Sequence, residues 1–427
     1  MEQSPSIAII GGGPSGLLFA RLLELNGISD YVVFERDQSS EQPGRWQQGG
    51  TLDLHGPSGQ LALKRAELFE KFSHDFARWD ASSVRIVNPA GATVALLGEN
   101  RNAPEIDRLQ LRQLLLDSIP AHKILWGHAV KSIERKEESD SERKDNGCIV
   151  HFVNGESASG FRLLVGADGA WSKVRSLLTA AKPVYSGKMF IEGYLSHDNQ
   201  SYTAAREMAG AGNMMAMGHH KKIAVQQVAD GTYRVYFGLC VPESFYDHRD
   251  SSGEVSASCE SSKSETLRRL LLSSNDFYAS WAPGLRRFIE NSEGPFRAWP
   301  LYRMEPEAVS WERNIAPAVT LLGDAAHVST PFVGEGVNCS MNDAVVLADY
   351  LVAHLGKGAI LANVEEAALE TVLASYEEDM FVRGRDLIRR SMEIEERIFA
   401  DDAVTLLLEL FNGGIEKSGY VNPAQQN

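Results

Sequence analysis

The chain opens on an apolar run at residues 6–10 that breaks at once into three glycines. A short, wholly apolar run ending in glycine marks a strand buried on both faces of a parallel sheet. Leu17, Leu18, Leu22 and Leu25 follow at helical spacing, and Gly27 stands where a helix would stop. Tyr31–Phe34 is a second strand-like run. Strand, glycine turn, helix and strand predict a βαβ unit with a right-handed crossover.

Further along, the pattern changes. Short apolar runs recur near 84–97, 124–133, 148–153, 189–195, 223–228 and 232–241, separated by Gly, Asn or Asp. They predict a β-rich region. Two polar stretches interrupt it: 134–145, of mixed charge, and 247–265, rich in serine and acids. Both read as solvated hairpin tips or mobile loops. At Val319 the α/β pattern returns with a strand-like run ending in Gly323-Asp324. Gly336–Leu355 then reads as a long helix with Val337, Met341, Ala344, Val345, Ala348 and Leu351 on one broad face. Helical periodicity continues over 364–411. The predicted class is α/β: a Rossmann-like domain split by an inserted β-rich domain and followed by a C-terminal helical segment. Expected boundaries are 1–72, 99–176 and 299–370 for the first domain, 73–98 and 177–298 for the insert, and 371–427 for the terminal helices.

Composition narrows the functions open to this fold. A length of 427 residues suits two or three domains, and the net charge of −15 argues against nucleic acid as a partner. No apolar stretch is long enough for a transmembrane helix, and the first apolar run reads as a strand rather than a signal peptide. Four cysteines, Cys148, Cys240, Cys259 and Cys339, form no CxxC pair. The expectation is no metal site and a reducing, cytoplasmic setting.

Three glycine-rich segments carry the candidate chemistry. Gly11, Gly13 and Gly16 form GxGxxG directly after the first strand. The first glycine permits the tight turn, the second lets backbone approach a pyrophosphate, and the third lets helix and strand pack closely. Pro14 sits in the first helical turn, where no N–H is needed, and Ser15 beside it lies at a helix start that attracts phosphate. Glu35 ends the second strand, where a carboxylate accepts the hydroxyls of an adenosine ribose; Arg36 follows it. The second segment, 163–175, reads LLVGADGAWSKVR, a buried strand ending in Asp168-Gly169. The third, 319–338, reads VTLLGDAAHVSTPFVGEGVN, with Gly323, Asp324, Pro331, Gly334 and Gly336 before a helix whose first turn holds Val337 and Asn338.

With these three motifs the sequence resembles the flavoprotein aromatic hydroxylases, the para-hydroxybenzoate hydroxylase type. It is most similar to the branch that inactivates tetracyclines, through Gly49-Gly50-Thr51-Leu52-Asp53-Leu54-His55, Ser58-Gly59-Gln60 and the segment PEIDRLQL at 104–111. The resemblance implies bound FAD, held by the GxGxxG, by Asp168, by Gly323-Asp324 and by Arg108, with Arg112 a weaker candidate. Gly49 and Gly50 would give the flavin room to move. It also implies a transient nicotinamide reductant, NADPH or else NADH, and O2. The implied reaction is hydroxylation or epoxidation of an aromatic or enolised polycyclic small molecule through a flavin C4a-hydroperoxide. Its setting would be secondary metabolism or the inactivation of a xenobiotic or antibiotic, by a monomer or weak dimer. Where that family reads Gly-Gln-Gly, this chain has Gly334-Glu335-Gly336. Glu192 falls near a glutamine of the tetracycline branch, and Met217-Gly218-His219-His220 stand near its substrate histidine.

Phe332 and Val333 are expected to line the pocket. Glu192, Tyr194, Arg206, His219 and Tyr236 are candidates for an acid or base acting on the substrate. The alternatives are a flavin oxidase or reductase on the same scaffold and a non-enzymatic escort that has lost FAD. A flavin halogenase would need a Trp-x-Trp motif, and Trp299 and Trp311 stand apart.

Overall fold

The structure is a computed structural model. It describes residues 5–40, 50–98, 101–136, 145–246 and 257–418, with backbone alone at 257–259 and 411–418. Two compact units form. One comprises 1–77, 102–184 and 302–391, and the other 78–101, 185–301 and 392–427.

The first unit is built on a five-stranded sheet. Its order is Val319–Leu321, Leu163–Gly166, Ile7–Ile10, Tyr31–Phe34 and Ile124–Leu125. All neighbours in it are parallel. The first four strands are buried throughout, which is why they read as unbroken apolar runs. The helices Pro14–Leu25 and Gly336–Leu355 pack against each other with the leucines and alanines that the 3.6-residue pattern selects. Smaller antiparallel sheets add Thr51–Asp53 with Glu105–Asp107, and Val130–Arg135 with Cys148–Phe152 and Ser157–Ser159. The helix Glu366–Ile398 runs unbroken through position 371, so no element ends at that expected boundary. Nothing between Leu369 and Leu373 interrupts its buried stripe.

The second unit holds a seven-stranded mixed sheet. Its order is Glu293–Arg303, Val184–Leu195, Tyr233–Cys240, Lys221–Gln227, Asn213–Gly218, Val84–Val87 and Thr93–Leu97. Alternation sorts its residues. Met189, Ile191, Val225, Val235, Phe237 and Phe296 point into one apolar core, shared with Ala205, Leu271, Leu285 and Phe288 from three helices. Phe190, Glu192 and Tyr194 alternate with that core set, so they belong to the opposite face. The polar stretch 247–265 was expected to be loop, yet Ala257–Ser273 is helix. Leu267 and Leu271 bury one side of it, and this tertiary packing overrides the serine-rich start. The polar stretch at 134–145 ends the strand at Arg135, and 137–144 lie outside the described residues.

Lys222 lies on the face opposite the core, its ammonium 5.6 Å from the Phe190 ring centroid. Burial pushes its ammonium down to about 8 from an ordinary value of 10.5. Between those pH values the unfolded chain keeps a proton that the folded chain has released. Stability therefore rises with pH through this window, and below it the full burial cost applies. Lys222→Met is expected to raise stability at pH 7 by about 1–3 kcal/mol and to abolish the rise between pH 8 and 10, measured by urea unfolding at stepped pH.

Candidate functional site

The parallel register sets the site. Ile10 lies beside Gly166, and Gly166 beside Leu321, so three neighbouring strands end level. Each runs directly into one of the three motifs, and the turns at Gly11, Asp168 and Gly323 therefore share one carboxyl edge of the sheet. This is where open α/β sheets bind ligands. The turns also touch. A Cβ on Gly11, which has φ +112°, would lie 2.3 Å from the Ala167 carbonyl oxygen. A Cβ on Gly323, with φ +57°, would press on Ser340 and approach Ser15. Arg175 ties two of the turns, donating to the Ala170 carbonyl at 2.7 Å and the Ala325 carbonyl at 2.9 Å.

Gly13 caps the helix Pro14–Leu25 with no side chain, and a Cβ there would meet nothing within 4 Å. Open space thus lies over first-turn N–H groups that have no acceptor within the helix, as a phosphate requires. Asp168 accepts from the Lys173 and Val174 N–H groups through Oδ2. Its Oδ1 is buried with no hydrogen-bond partner among the described residues. Desolvation pushes this carboxyl above the usual carboxylate range, opposed by bonds from Ser172, Lys173 and Val174. Such an oxygen calls for a donor from a ligand. Asp324 begins a single helical turn and is exposed. Desolvation raises its carboxyl too, while His327, Arg108 and Arg175 pull it back. The structure thus brings Arg108 into electrostatic range of Asp324. It does so through a helix, Arg108–Leu116, whose start is fixed by a capping box between Asp107 and Gln110.

Other expected contacts sit differently. Glu35 is buried, and its carboxylate accepts from the Gly12 N–H at 2.6 Å and the Asp37 N–H at 2.9 Å. Arg112 lies 3.5 Å from it, bonds Asp37 at 2.9 Å and donates to the Gly12 carbonyl. Glu35 and Arg112 thus brace the glycine loop from behind. Arg36 is exposed. The Asn338 side chain is spent on the segment 53–59: Oδ1 accepts from the His55 and Gly59 N–H groups, and Nδ2 donates to the Asp53 carbonyl. It therefore acts as a strut, and Val337 and Asn338 offer only their backbone N–H groups at the start of Gly336–Leu355. Glu335, in the place of the family glutamine, is held bidentately by Arg390 at 2.7 and 2.9 Å. That guanidinium neutralises a carboxylate which would otherwise oppose the positive helix terminus. Thr51 bonds Glu105. Gly50 has φ +92°, Gly49 lies outside the described residues, Pro331 is exposed, and Phe332 and Val333 are half-buried.

In the second unit, Glu192 is buried and pairs with Tyr236 across the strands, while Tyr194 pairs with Arg234. The Trp299 indole N–H donates to Glu192 at 2.6 Å, and Arg234 stands 3.7 Å from the other oxygen. Arg234 also lies over the Tyr194 ring, 5.9 Å from its centroid. Glu192, Tyr194 and Tyr236 are thus brought together on one sheet face. Two expected partners are not. Arg206 is exposed on the helix Tyr202–Ala209, whose Ala205 and Ala209 pack into the opposite, apolar face. His219 forms a hairpin turn with His220, both at positive φ, and its ring bonds Asp401 at 2.9 Å. The sequence alone gave no site role to Arg175, Arg234, Trp299 and Arg390. A lone arginine or tryptophan carries no spacing signal.

Comparison with known proteins agrees with this geometry. Residues 302–391 match the family described as FAD binding domain. The monooxygenase asqM of Emericella nidulans is 30% identical over 416 residues, covering 89% of this chain and 92% of that protein. Klebsiella pneumoniae HpxO, solved with FAD and uric acid, superposes with a TM-score of 0.70 at 21% identity, over 96% of this chain and 93% of that one. The tetracycline destructase Tet(55) superposes at 0.68 and 17% identity, over 96% and 95%.

Removing the Glu35 carboxylate leaves the Gly12 and Asp37 N–H groups and Arg112 short of an acceptor. Glu35→Ala is expected to lower the stability of flavin-free protein by about 1–3 kcal/mol, measured by urea unfolding. An unchanged midpoint would remove the bracing role.

Proposed function

Because the chain belongs to the FAD-dependent monooxygenases of the flavoprotein aromatic hydroxylase class, we propose a division of labour between its two units. The first holds FAD along the carboxyl edge of the parallel sheet, and the second carries the substrate on the face bearing Glu192. The enzyme is an FAD-dependent monooxygenase that hydroxylates aromatic compounds. Oxygen activation and hydroxyl transfer are the chemistry that FAD supplies when bound. This chain's own residues must bind the cofactor, orient it, exclude water and handle protons on the substrate.

Gly13 and the first turn of Pro14–Leu25 would receive the pyrophosphate, with Gly11, Ser15 and Gly16 shaping the loop. Asp324, Arg108 and Asp168 would take the polar chain linking pyrophosphate to flavin. The first turn of Gly336–Leu355, at Val337 and Asn338, presents partial positive charge and N–H donors suited to the anionic edge of a reduced flavin. Pro331, Phe332, Val333 and Gly334 lead into that turn. Support comes chiefly from the level ends of the three strands, which bring motifs more than 150 residues apart to one edge.

For the substrate, the face with Glu192, Tyr194, Arg234, Tyr236 and Trp299 joins aromatic surface to one buried carboxylate. Trp299 occupies Glu192 Oε2 at 2.6 Å, while at 3.7 Å Arg234 leaves Oε1 able to accept from a substrate hydroxyl. A phenol or enol bonded there gains electron density as its proton moves toward Glu192. An aromatic or enolised polycyclic molecule is the substrate class this face suits. NADPH and O2 complete the reaction, and its setting is secondary metabolism or the removal of a toxic compound.

Asp324→Ala is expected to lower the FAD content of purified protein at least tenfold, read from the flavin absorbance; full flavin content would remove Asp324 from the site. Glu192→Gln should keep its flavin spectrum. Substrate-stimulated NADPH consumption, measured over a panel of phenols and polycyclic enols, should fall about 10²-fold. Undiminished stimulation would take Glu192 off the substrate face.

A further inference from the structure

The loop 328–335 leads the chain into the helix Gly336–Leu355, and two consecutive residues of the helix Glu366–Ile398 grip it. Ser391, fully buried, donates to the Thr330 carbonyl at 2.5 Å, and its oxygen lies 3.0 Å from the Thr330 hydroxyl. Further along the loop, Arg390 forks onto both carboxylate oxygens of Glu335, at 2.9 and 2.7 Å. The guanidinium is aimed from its own helix by Asp386, which accepts from Nε at 2.7 Å.

Glu335 is the N-cap of Gly336–Leu355. Its carbonyl accepts the Cys339 N–H at 2.9 Å, while its side chain makes no capping bond. A carboxylate at this place is drawn to the helix it precedes, by first-turn N–H groups that have no acceptor within the helix and by partial positive charge. Here Arg390 takes both of its oxygens instead, in the two-bond geometry that suits a guanidinium. The first turn holds no acidic residue, and the Asn338 side chain is engaged with 53–59, so neither occupies the terminus from within. A second carboxylate borders the turn. An oxygen of Asp53 would lie 3.4 Å from a Cβ on Gly334, and the His55 ring holds that side chain at 2.9 Å.

We propose that Arg390 is a positioning residue for the flavin: by holding the Glu335 carboxylate off the first turn of Gly336–Leu355, it keeps the Val337 and Asn338 N–H groups free for the anionic edge of reduced FAD. This rests on the reading that the turn faces the flavin. The pair acts through charge, so it bears on reduced FAD more than on oxidised FAD, which carries no charge at that edge. Its signature is the ratio of the two affinities, which the midpoint potential of the bound flavin reports. Glu335 and Arg390 form one unit, and loss of the arginine matters only while the carboxylate remains.

The test is the midpoint potential of the FAD holoprotein, by reductive titration against a reference dye with flavin absorbance as the readout. Arg390→Met leaves the carboxylate unheld. The ratio of reduced to oxidised affinity should fall about three- to tenfold, a drop of about 15–30 mV for a two-electron couple. Glu335→Gln, alone or with Arg390→Met, should stay within about twofold of wild type, the scale of a partly exposed ion pair. Equal potentials for wild type and Arg390→Met, or a drop that the added Glu335→Gln does not reverse, would overturn the proposal. Arg390→Met with Glu335→Lys checks the underlying reading separately, because it sets a bare cation at the helix start and should raise the potential. A potential unmoved by that reversal of charge, or wild-type protein that takes up no FAD, would sink the reading that the turn faces the flavin. Should Arg390→Met not fold, Arg390→Gln takes its place in each background, under the same criteria.

Discussion

Everything in the first unit depends on parallel strand pairing in one register. Ile10, Gly166 and Leu321 stand side by side, so three polypeptide turns leave the sheet at the same height. Parallel strands need long crossovers, and the crossovers here carry residues 78–101 and 185–301 of the second unit. A one-residue slip in any of these strands would move its glycine turn along the edge by about 3.3 Å and break the close approaches of Gly11 to Ala167 and Gly323 to Ser340. The apolar burial of all four residues in strands Ile7–Ile10 and Leu163–Gly166 holds that register.

On this frame the charges fall into two groups. Those behind the turns are braced from within the chain: Glu35 by two N–H groups with Arg112 nearby, and Asp343 by His327, Arg383 and the Gly323 N–H. Those on the edge are left with capacity. Asp168 has a buried oxygen with no hydrogen-bond partner among the described residues, and the Asp324 carboxyl is raised by desolvation while His327, Arg108 and Arg175 pull it back. Low dielectric strengthens both kinds of interaction, so satisfied groups rigidify the scaffold and unsatisfied ones favour a ligand. The substitution of Glu335 for the family glutamine follows the same rule, since Arg390 absorbs its charge.

Local pattern made the fold and the cofactor edge legible. GxGxxG after an apolar run, Asp168-Gly169 and Gly323-Asp324 each announce a strand end and a turn within about ten residues. The helix Gly336–Leu355 follows the spacing of its apolar positions. Contacts made across the chain were hidden. Trp299 reaches Glu192 over a separation of 107 residues, and Arg175 reaches Ala325 over 150. Glu35 stands at the strand end that a ribose contact requires, and no spacing rule reports that its carboxylate also accepts from the Gly12 and Asp37 N–H groups. Composition shows the chemical type of His219 and Arg206 without showing that one lies in a hairpin turn and the other on the helix Tyr202–Ala209. Lys222 escaped notice for the same reason: the burial that shifts it comes from tertiary packing.

Two of the strand pairs in the parallel sheet are far apart in synthesis order. Ile7 pairs with Leu163, and Leu164 with Val319. At about 5–20 residues per second, a ribosome needs roughly 8–30 s to make each of those intervals. The first strand therefore emerges long before its second neighbour exists. Contacts of such high sequence separation form slowly, and the cofactor-binding edge is complete only once residues up to 338 have left the exit tunnel. In the interval the apolar edge of Ile7–Ile10 is open to wrong partners, so overproduction at lower temperature, with chaperones in supply, favours the native chain.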